Sequence, residues 1–241
     1  MANPEPPAPD AEVHLVLLPG MDGTEILFGP LLRALPAWLR PVVVPYPSDG
    51  PNGYDDLLPR IAAVVETLPH CCVLGWSFSG PLALRIANRF PERVRGVILG
   101  ASFVRPPLRW LPWLRPLLIA PVIGTVRFLR RLPLWLFTPP SDPWRRDKAL
   151  LWQRVRARSL AARVRAIARV DARDDLRRCV APVLYIAGDR DTVVPRRNLA
   201  EVRCERPATH VATIAGGHFA LYGNAAAGVE AIVAFVRELR R

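Results

Sequence analysis

Gly75-Trp76-Ser77-Phe78-Ser79-Gly80 reads GWSFSG, and it lies between the apolar run CCVL (Cys71–Leu74) and the helix-period run PLALRIANRF (Pro81–Phe90). The first run predicts a buried strand and the second a helix, so these six residues must turn one into the other. So sharp a turn forces its central residue into a strained conformation and exposes the side chain above the sheet. Small residues two before and two after the apex keep the turn free of clashes. Gly75 and Ser79 hold those places and Ser77 holds the apex. This is the pattern of a nucleophile elbow, with serine at position 79 where glycine is usual. A bare GxS is common by chance; its place between strand and helix gives it weight.

The same alternation extends outward. Apolar runs at Val13–Gly20, Pro41–Pro47, Cys71–Ser77, Val94–Ser102, Pro182–Asp189 and His210–Gly216 predict strands. Most are continuous rather than alternating, as expected of strands covered on both faces of a parallel sheet. Helix-period runs fall between them, over about Glu25–Leu35, Tyr54–Leu68, Phe78–Phe90, Pro195–Arg203 and Ala225–Arg240. Strand–helix–strand repetition implies a mostly parallel, doubly wound α/β sheet of about six strands. Ligand sites in such sheets lie beyond the carboxyl ends of the strands, so the residues that follow each strand are the informative ones.

A lone serine is a poor nucleophile and needs a base held by a third group. His218, in AGGHFALYG, follows the last strand and precedes the last helix; its alternative role is a loop histidine capping that helix. His14 lies within a strand, and His70 and His210 stand before theirs. Asp191 follows the fifth strand in IAGDRDTVVP, where a carboxylate can orient the imidazole. Asp189 is its rival, with a turn or a salt bridge to Arg190 as its other use; Asp191 is preferred because it lies further out on the loop. The chain order Ser, Asp, His suits this architecture. The oxyanion formed on attack needs backbone N–H donors. Phe78, after the serine, supplies one, and Met21 in the glycine-bearing loop LPGMDGT supplies the other.

With LLPGMDGTEILFGPLL, LGWSFSGPLALRIANRFPERVRGVILGAS, APVLYIAGDRDTVVP and GGHF, the chain resembles the α/β-hydrolase superfamily over nearly its whole length. It looks closest to short bacterial carboxylesterase-like members and to the group that cleaves the methyl ester of carrier-bound pimelate. The resemblance implies an α/β-hydrolase fold, with Ser77, Asp191 and His218 as a catalytic triad, Met21 and Phe78 as oxyanion donors, and no cofactor or metal. The chain departs from the family at Ser79, and in lacking the leading antiparallel hairpin of the full fold.

Half the 241 residues are hydrophobic, enough for a full core without metal or disulfide. Cys71, Cys72, Cys179 and Cys204 show no metal spacing and read as small buried side chains in a reducing, cytoplasmic compartment. Residues 1–12 read as a disordered, proline-rich leader rather than a signal peptide, and no run is long enough to span a membrane. The core is assigned to residues 13–102 and 173–241. The segment 103–172, read as a mainly helical cap inserted after the fourth strand, holds fifteen Lys and Arg against three Asp and Glu; the rest of the chain has eighteen of each. Five of seven tryptophans lie there too: Trp110, Trp113, Trp135, Trp144 and Trp152. Prolines break its first half. Its second half predicts one helix over about Arg146–Val170, with Arg154, Arg158, Arg165 and Arg169 as a solvent stripe and Arg156 and Arg163 intruding on the apolar side.

Three uses of this segment remain open. It can be a water-excluding lid with tryptophans inside, a contact for an anionic membrane surface that keeps the protein at the inner face of the membrane, or a dock for an acidic acyl carrier. Nucleic acid is set aside, because the segment matches no reader module. The expected activity is hydrolysis of carboxylic esters with hydrophobic acyl groups, through an acyl-enzyme on Ser77 and with a small ester or lipid-like substrate. Acyl transfer, carrier-dependent hydrolysis and a non-catalytic binding role on the same scaffold are the alternatives. Oligomeric state is not legible.

Overall fold

The computed structural model describes residues 12–108, 110, 112–113, 121, 147, 150–151 and 153–241. The leader, except for Glu12, and the tryptophans Trp135, Trp144 and Trp152 therefore lie outside the described residues, as does most of the proline-broken half of the 103–172 segment.

Among the described residues, six strands form one sheet: β1 (Val13–Leu18), β2 (Leu39–Val43), β3 (Cys71–Trp76), β4 (Val94–Gly100), β5 (Val183–Gly188) and β6 (His210–Ile214). Their order is β2-β1-β3-β4-β5-β6 and every pairing is parallel. The helices are α1 (Gly29–Ala34), α2 (Tyr54–Val65), α3 (Gly80–Arg89), α4 (Ala157–Ile167), α5 (Arg173–Arg178), α6 (Arg197–Glu205), α7 (Ala220–Gly223) and α8 (Ala225–Glu238).

Alternation along the strands explains the continuous apolar runs. In β1, Leu15 and Leu17 join one core cluster while Val16 and Leu18 join the other; in β3, Cys72 and Leu74 oppose Cys71 and Val73. The first cluster is closed by Leu31 of α1 and by Ile232, Phe235 and Val236 of α8. The second is closed by Leu57 and Ile61 of α2, Leu82 and Ile86 of α3, Leu176 of α5 and Val202 of α6. All four of these β1 side chains are 0% exposed, and burial of each contributes about 1.5–3 kcal/mol.

The chain runs outward from β1 to β2 and then crosses back past β1 to β3. That reversal leaves a crevice beyond the carboxyl ends of β1 and β3, where the loops that follow them diverge.

Two expectations are corrected and one unanticipated helix appears. The single helix over Arg146–Val170 is broken at Val155–Arg156: Arg156 is extended (φ −79°, ψ 146°) and α4 starts at Ala157. Contacts of Ser159 and Arg163 with the core override the sequence period there; of the proposed solvent stripe, Arg154, Arg158 and Arg169 are exposed and Arg165 is half-buried. Next, α5 was not expected, although Asp174 and Asp175 in its first turn and Arg177 and Arg178 in its last complement the helix dipole. Finally, Cys71, Cys72 and Cys179 are buried free thiols but Cys204, on α6, is exposed. Among the described residues no helix is long and apolar enough to cross a membrane.

Candidate active site

At the end of β3 the chain makes a 3-10 turn, Ser77–Ser79, before α3. Ser77 has φ +51°, a left-handed conformation that costs a non-glycine residue about 1–3 kcal/mol. The surroundings impose it. Ser102 Oγ donates a hydrogen bond to the Ser77 carbonyl at 2.6 Å, and Ser102 is itself held by the Tyr185 hydroxyl, which donates to its carbonyl at 2.6 Å. Gly75 gives the turn room: a Cβ there would lie 2.4 Å from the Ser79 carbonyl oxygen.

Ser79 does more than fit where glycine is usual. It is 0% exposed, and its Oγ contacts both the Pro19 carbonyl and, at 2.5 Å, the Tyr46 hydroxyl. A carbonyl can only accept, so the serine proton goes to Pro19 and Tyr46 donates to Ser79. Burial pushes the Tyr46 phenol far above its usual range, which keeps it a donor. Pro19 leads into the loop Gly20–Thr24 after β1, so one hydroxyl ties that loop to the turn carrying Ser77.

The loops after β5 and β6 bring the other two side chains. His218 Nε2 lies 2.9 Å from Ser77 Oγ, and His218 Nδ1 lies 2.9 Å from Asp191 Oδ2. The Asp191 and His218 side chains are only 4% and 10% exposed. The second carboxylate oxygen of Asp191 accepts from the backbone N–H groups of Val193 (2.9 Å) and Val194 (2.8 Å), which fixes its plane. A carboxylate can only accept, so the hydrogen-bond network assigns the imidazole proton to Nδ1 and leaves Nε2 to accept from the serine hydroxyl. Asp189 has another task. Its Oδ1 accepts from the Gly216 N–H at 2.7 Å, a bond that holds its carboxyl below the usual carboxylate range, and it latches the histidine loop rather than the imidazole.

Met21 and Phe78 both lie beside the Ser77 site. Phe78 follows it in the turn, its ring stacked on Tyr54 with centroids 4.7 Å apart. Met21 borders the same cavity as Ser77, and its neighbour Gly20 is close enough that a Cβ there would lie 3.8 Å from Ser77 Cβ.

Ser77 and His218 open into a cavity of about 500 Å³, a volume in the range of small-molecule sites. Its wall is largely apolar. Leu27, Trp76, Val193, Val194 and Phe219 come from the sheet side, and Phe103, Leu151, Val155, Leu160 and Ile167 from the segment expected to be a cap. That segment is fastened by Arg154 to Glu25 (2.6 Å), Arg156 to Asp49 (2.5 Å) and Ser159 Oγ to the Ser48 carbonyl (2.8 Å). Trp110 and Trp113 are 55% and 84% exposed, unlike the inward tryptophans of the lid, one of the three uses left open. No group of three or more His, Cys, Asp or Glu suited to a metal occurs among the described residues. Four contributors escaped sequence reasoning: Tyr46, Ser102, Arg163 and Tyr185. Of these, only Arg163 left a signal, as one of two arginines, with Arg156, on the apolar side of the expected helix.

Comparison with known proteins agrees with this architecture. Residues 15–232 match the profile of the Alpha/beta hydrolase family. The pimeloyl-[acyl-carrier protein] methyl ester esterase of Xanthomonas oryzae pv. oryzae (strain MAFF 311018) is 30% identical, with 92% of this chain and 94% of that protein aligned. The enzyme of the same name from Neisseria meningitidis serogroup C is 29% identical over 78% of this chain and 79% of its own length. Among solved structures, a bromoperoxidase from Bacillus anthracis superposes with a TM-score of 0.77 at 18% identity, over 94% of this chain and 92% of that one. A hydrolase from Pseudomonas aeruginosa PA01 gives 0.75 at 20% identity, over 93% and 90%. With the match extending from β1 into α8 and the parallel sheet bearing its serine turn after β3, the chain belongs to the alpha/beta hydrolase family.

Proposed function

We propose that the protein is a serine hydrolase that cleaves carboxylic esters through an acyl-enzyme. The observation that carries this reading is the hydrogen-bonded chain from Ser77 Oγ through His218 to Asp191, two contacts of 2.9 Å each. Ser77 attacks the ester carbonyl while His218 Nε2 takes its proton. Asp191 stabilises the imidazolium that results. The Met21 and Phe78 N–H groups receive the charge that develops on the carbonyl oxygen. His218 then protonates the departing alcohol, and water repeats the cycle to release the acid. The base must be the neutral imidazole.

The apolar cavity supports a hydrophobic acyl group. The names of the relatives support a carrier-bound ester, and the excess of Lys and Arg over Asp and Glu in residues 103–172, fifteen against three, is suited to steer an acidic carrier toward the protein. Free cysteines support action in the reducing cytoplasm. The test is labelling by a fluorophosphonate together with hydrolysis of a panel of p-nitrophenyl esters. Both are expected of the wild type, with a preference for acyl chains longer than acetyl, and both are expected to vanish in Ser77→Ala. Ester turnover that survives Ser77→Ala refutes the assignment.

A further inference from the structure

Taking an arginine out of water is costly unless all its donors are met. Arg163 projects from α4 and is 1% exposed. Each of its guanidinium N–H groups has an acceptor. Nη1 donates to the carbonyls of Met21 (2.9 Å) and Asp22 (2.8 Å). Nη2 donates to the carbonyl of Pro47 (2.9 Å) and to Asn52 Oδ1 (2.6 Å), and Nε donates to the same amide oxygen at 3.1 Å. The guanidinium also lies 5.5 Å from the centre of the Tyr46 ring. The Asp22 carboxylate does not pair with it directly; Asp22 Oδ2 accepts from Thr24 N and Oγ1 instead. Packing alone does not call for this arrangement, since apolar side chains of like volume commonly replace buried charges at no loss of stability.

What Arg163 grips is the backbone of the loop beside Ser77. Gly20 O accepts from Gly23 N at 3.0 Å. Carbonyl and N–H point opposite ways across a trans peptide, so turning the Gly20 carbonyl into the loop sends the Met21 N–H out of it. Arg163 fixes the next carbonyl, that of Met21. The two bonds therefore set both peptide planes that flank Met21. Gly23 (φ +71°) is shaped to the guanidinium, since a Cβ there would lie 2.5 Å from Nη1.

We propose that Arg163 is a positioning residue for ester hydrolysis: reaching in from the segment between β4 and β5, it locks the loop after β1 so that the Met21 N–H is preset for the oxyanion. This rests on Ser77 as nucleophile and Met21 N–H as donor, as proposed above. Losing an oxyanion donor outright lowers kcat about 10²–10³-fold, so a donor left in place but loosened is expected to lower it about 10–100-fold.

The experiment compares wild type, Arg163→Met, Arg163→Lys and Asn52→Ala on one p-nitrophenyl ester, with reactive serine titrated by fluorophosphonate. In Arg163→Met, kcat per titrated site is expected to fall about 10–100-fold with KM within about threefold. Inhibition by an alkyl trifluoromethyl ketone, which mimics the tetrahedral oxyanion, weakens by the same factor as kcat/KM, while inhibition by the product acid is unchanged. Arg163→Lys keeps the charge and recovers part of the rate. A merely structural arginine would lower the titrated fraction and leave turnover per site alone; that result, or full turnover in folded Arg163→Met, overturns the inference. If Arg163→Met does not fold, Asn52→Ala removes the acceptor of two of the five bonds and takes its place. A several-fold loss of kcat with matching loss of ketone affinity is expected, and unchanged kcat overturns the proposal. Esterase activity that survives Ser77→Ala would remove the nucleophile assignment and this inference together. A wild type that passes that control while Arg163→Met turns over normally removes this inference alone.

Discussion

Replacing Ser79 by alanine deletes one hydroxyl from a place with no access to water. Ser79 is 0% exposed, Tyr46 is 6% exposed and Pro19 is buried. The change leaves two groups without partners: the Pro19 carbonyl loses its donor and the Tyr46 hydroxyl loses its acceptor. Each buried orphan costs about 1–3 kcal/mol, so Ser79→Ala is expected to destabilise the fold by about 2–4 kcal/mol. Tyr46→Phe alone leaves the Ser79–Pro19 bond intact and orphans no donor, so it costs about 0.5–1.5 kcal/mol. The double variant keeps only the Pro19 orphan. It should therefore be more stable than the sum of the two single effects implies, with a coupling of about 1–2 kcal/mol. Urea unfolding of the four proteins, read as midpoint shifts at constant slope, measures each term. A Ser79→Ala midpoint within about 0.5 kcal/mol of wild type, or a strictly additive double variant, would refute this account of the hydroxyl.

Two further outcomes are expected. Asp191→Asn lowers kcat about 10⁴-fold because the imidazole loses the partner that sets its tautomer, while Asp189→Asn lowers it by less than about tenfold and acts instead on thermal stability; steady-state kinetics with melting curves separates the two. Burial pushes the Cys71 and Cys72 thiols up to about 11 and about 12 and raises that of Cys179. At pH 8, Ellman's reagent should therefore titrate only the exposed Cys204 in the native protein and reach the other three on unfolding, and rapid reaction of more than one native thiol would contradict that burial.

The sheet was legible because it has two covered faces: a strand such as Cys71–Trp76, buried at all six positions, carries no charged or strongly polar side chain. The places of Ser77 and His218 were legible because each follows a strand and precedes a helix. Asp191 and Asp189 were harder to separate. They lie two residues apart on one loop, and only its path shows that Asp189 reaches the Gly216 N–H while Asp191 reaches the imidazole. Arg163 was legible as a charge on the apolar side of its helix, but not its task, because its partners at Met21, Asp22 and Pro47 are backbone carbonyls, which leave no trace in side-chain patterns. The break before α4 was missed because a helical period cannot register that Ser159 bonds a carbonyl 111 positions away in the chain. Ser79 looked like a tolerated exception, yet its hydroxyl fastens two loops.

The five bonds of Arg163 also bear on how this scaffold could be re-engineered. A designer wishing to change substrate preference would exchange the segment after β4 for that of a relative and leave the sheet alone. Here such a graft would discard the guanidinium and strand Asn52 and the carbonyls of Met21, Asp22 and Pro47 without a donor. Transplants that retain arginine at this helical position, facing the same asparagine, are the ones that should keep a working catalyst while their selectivity changes.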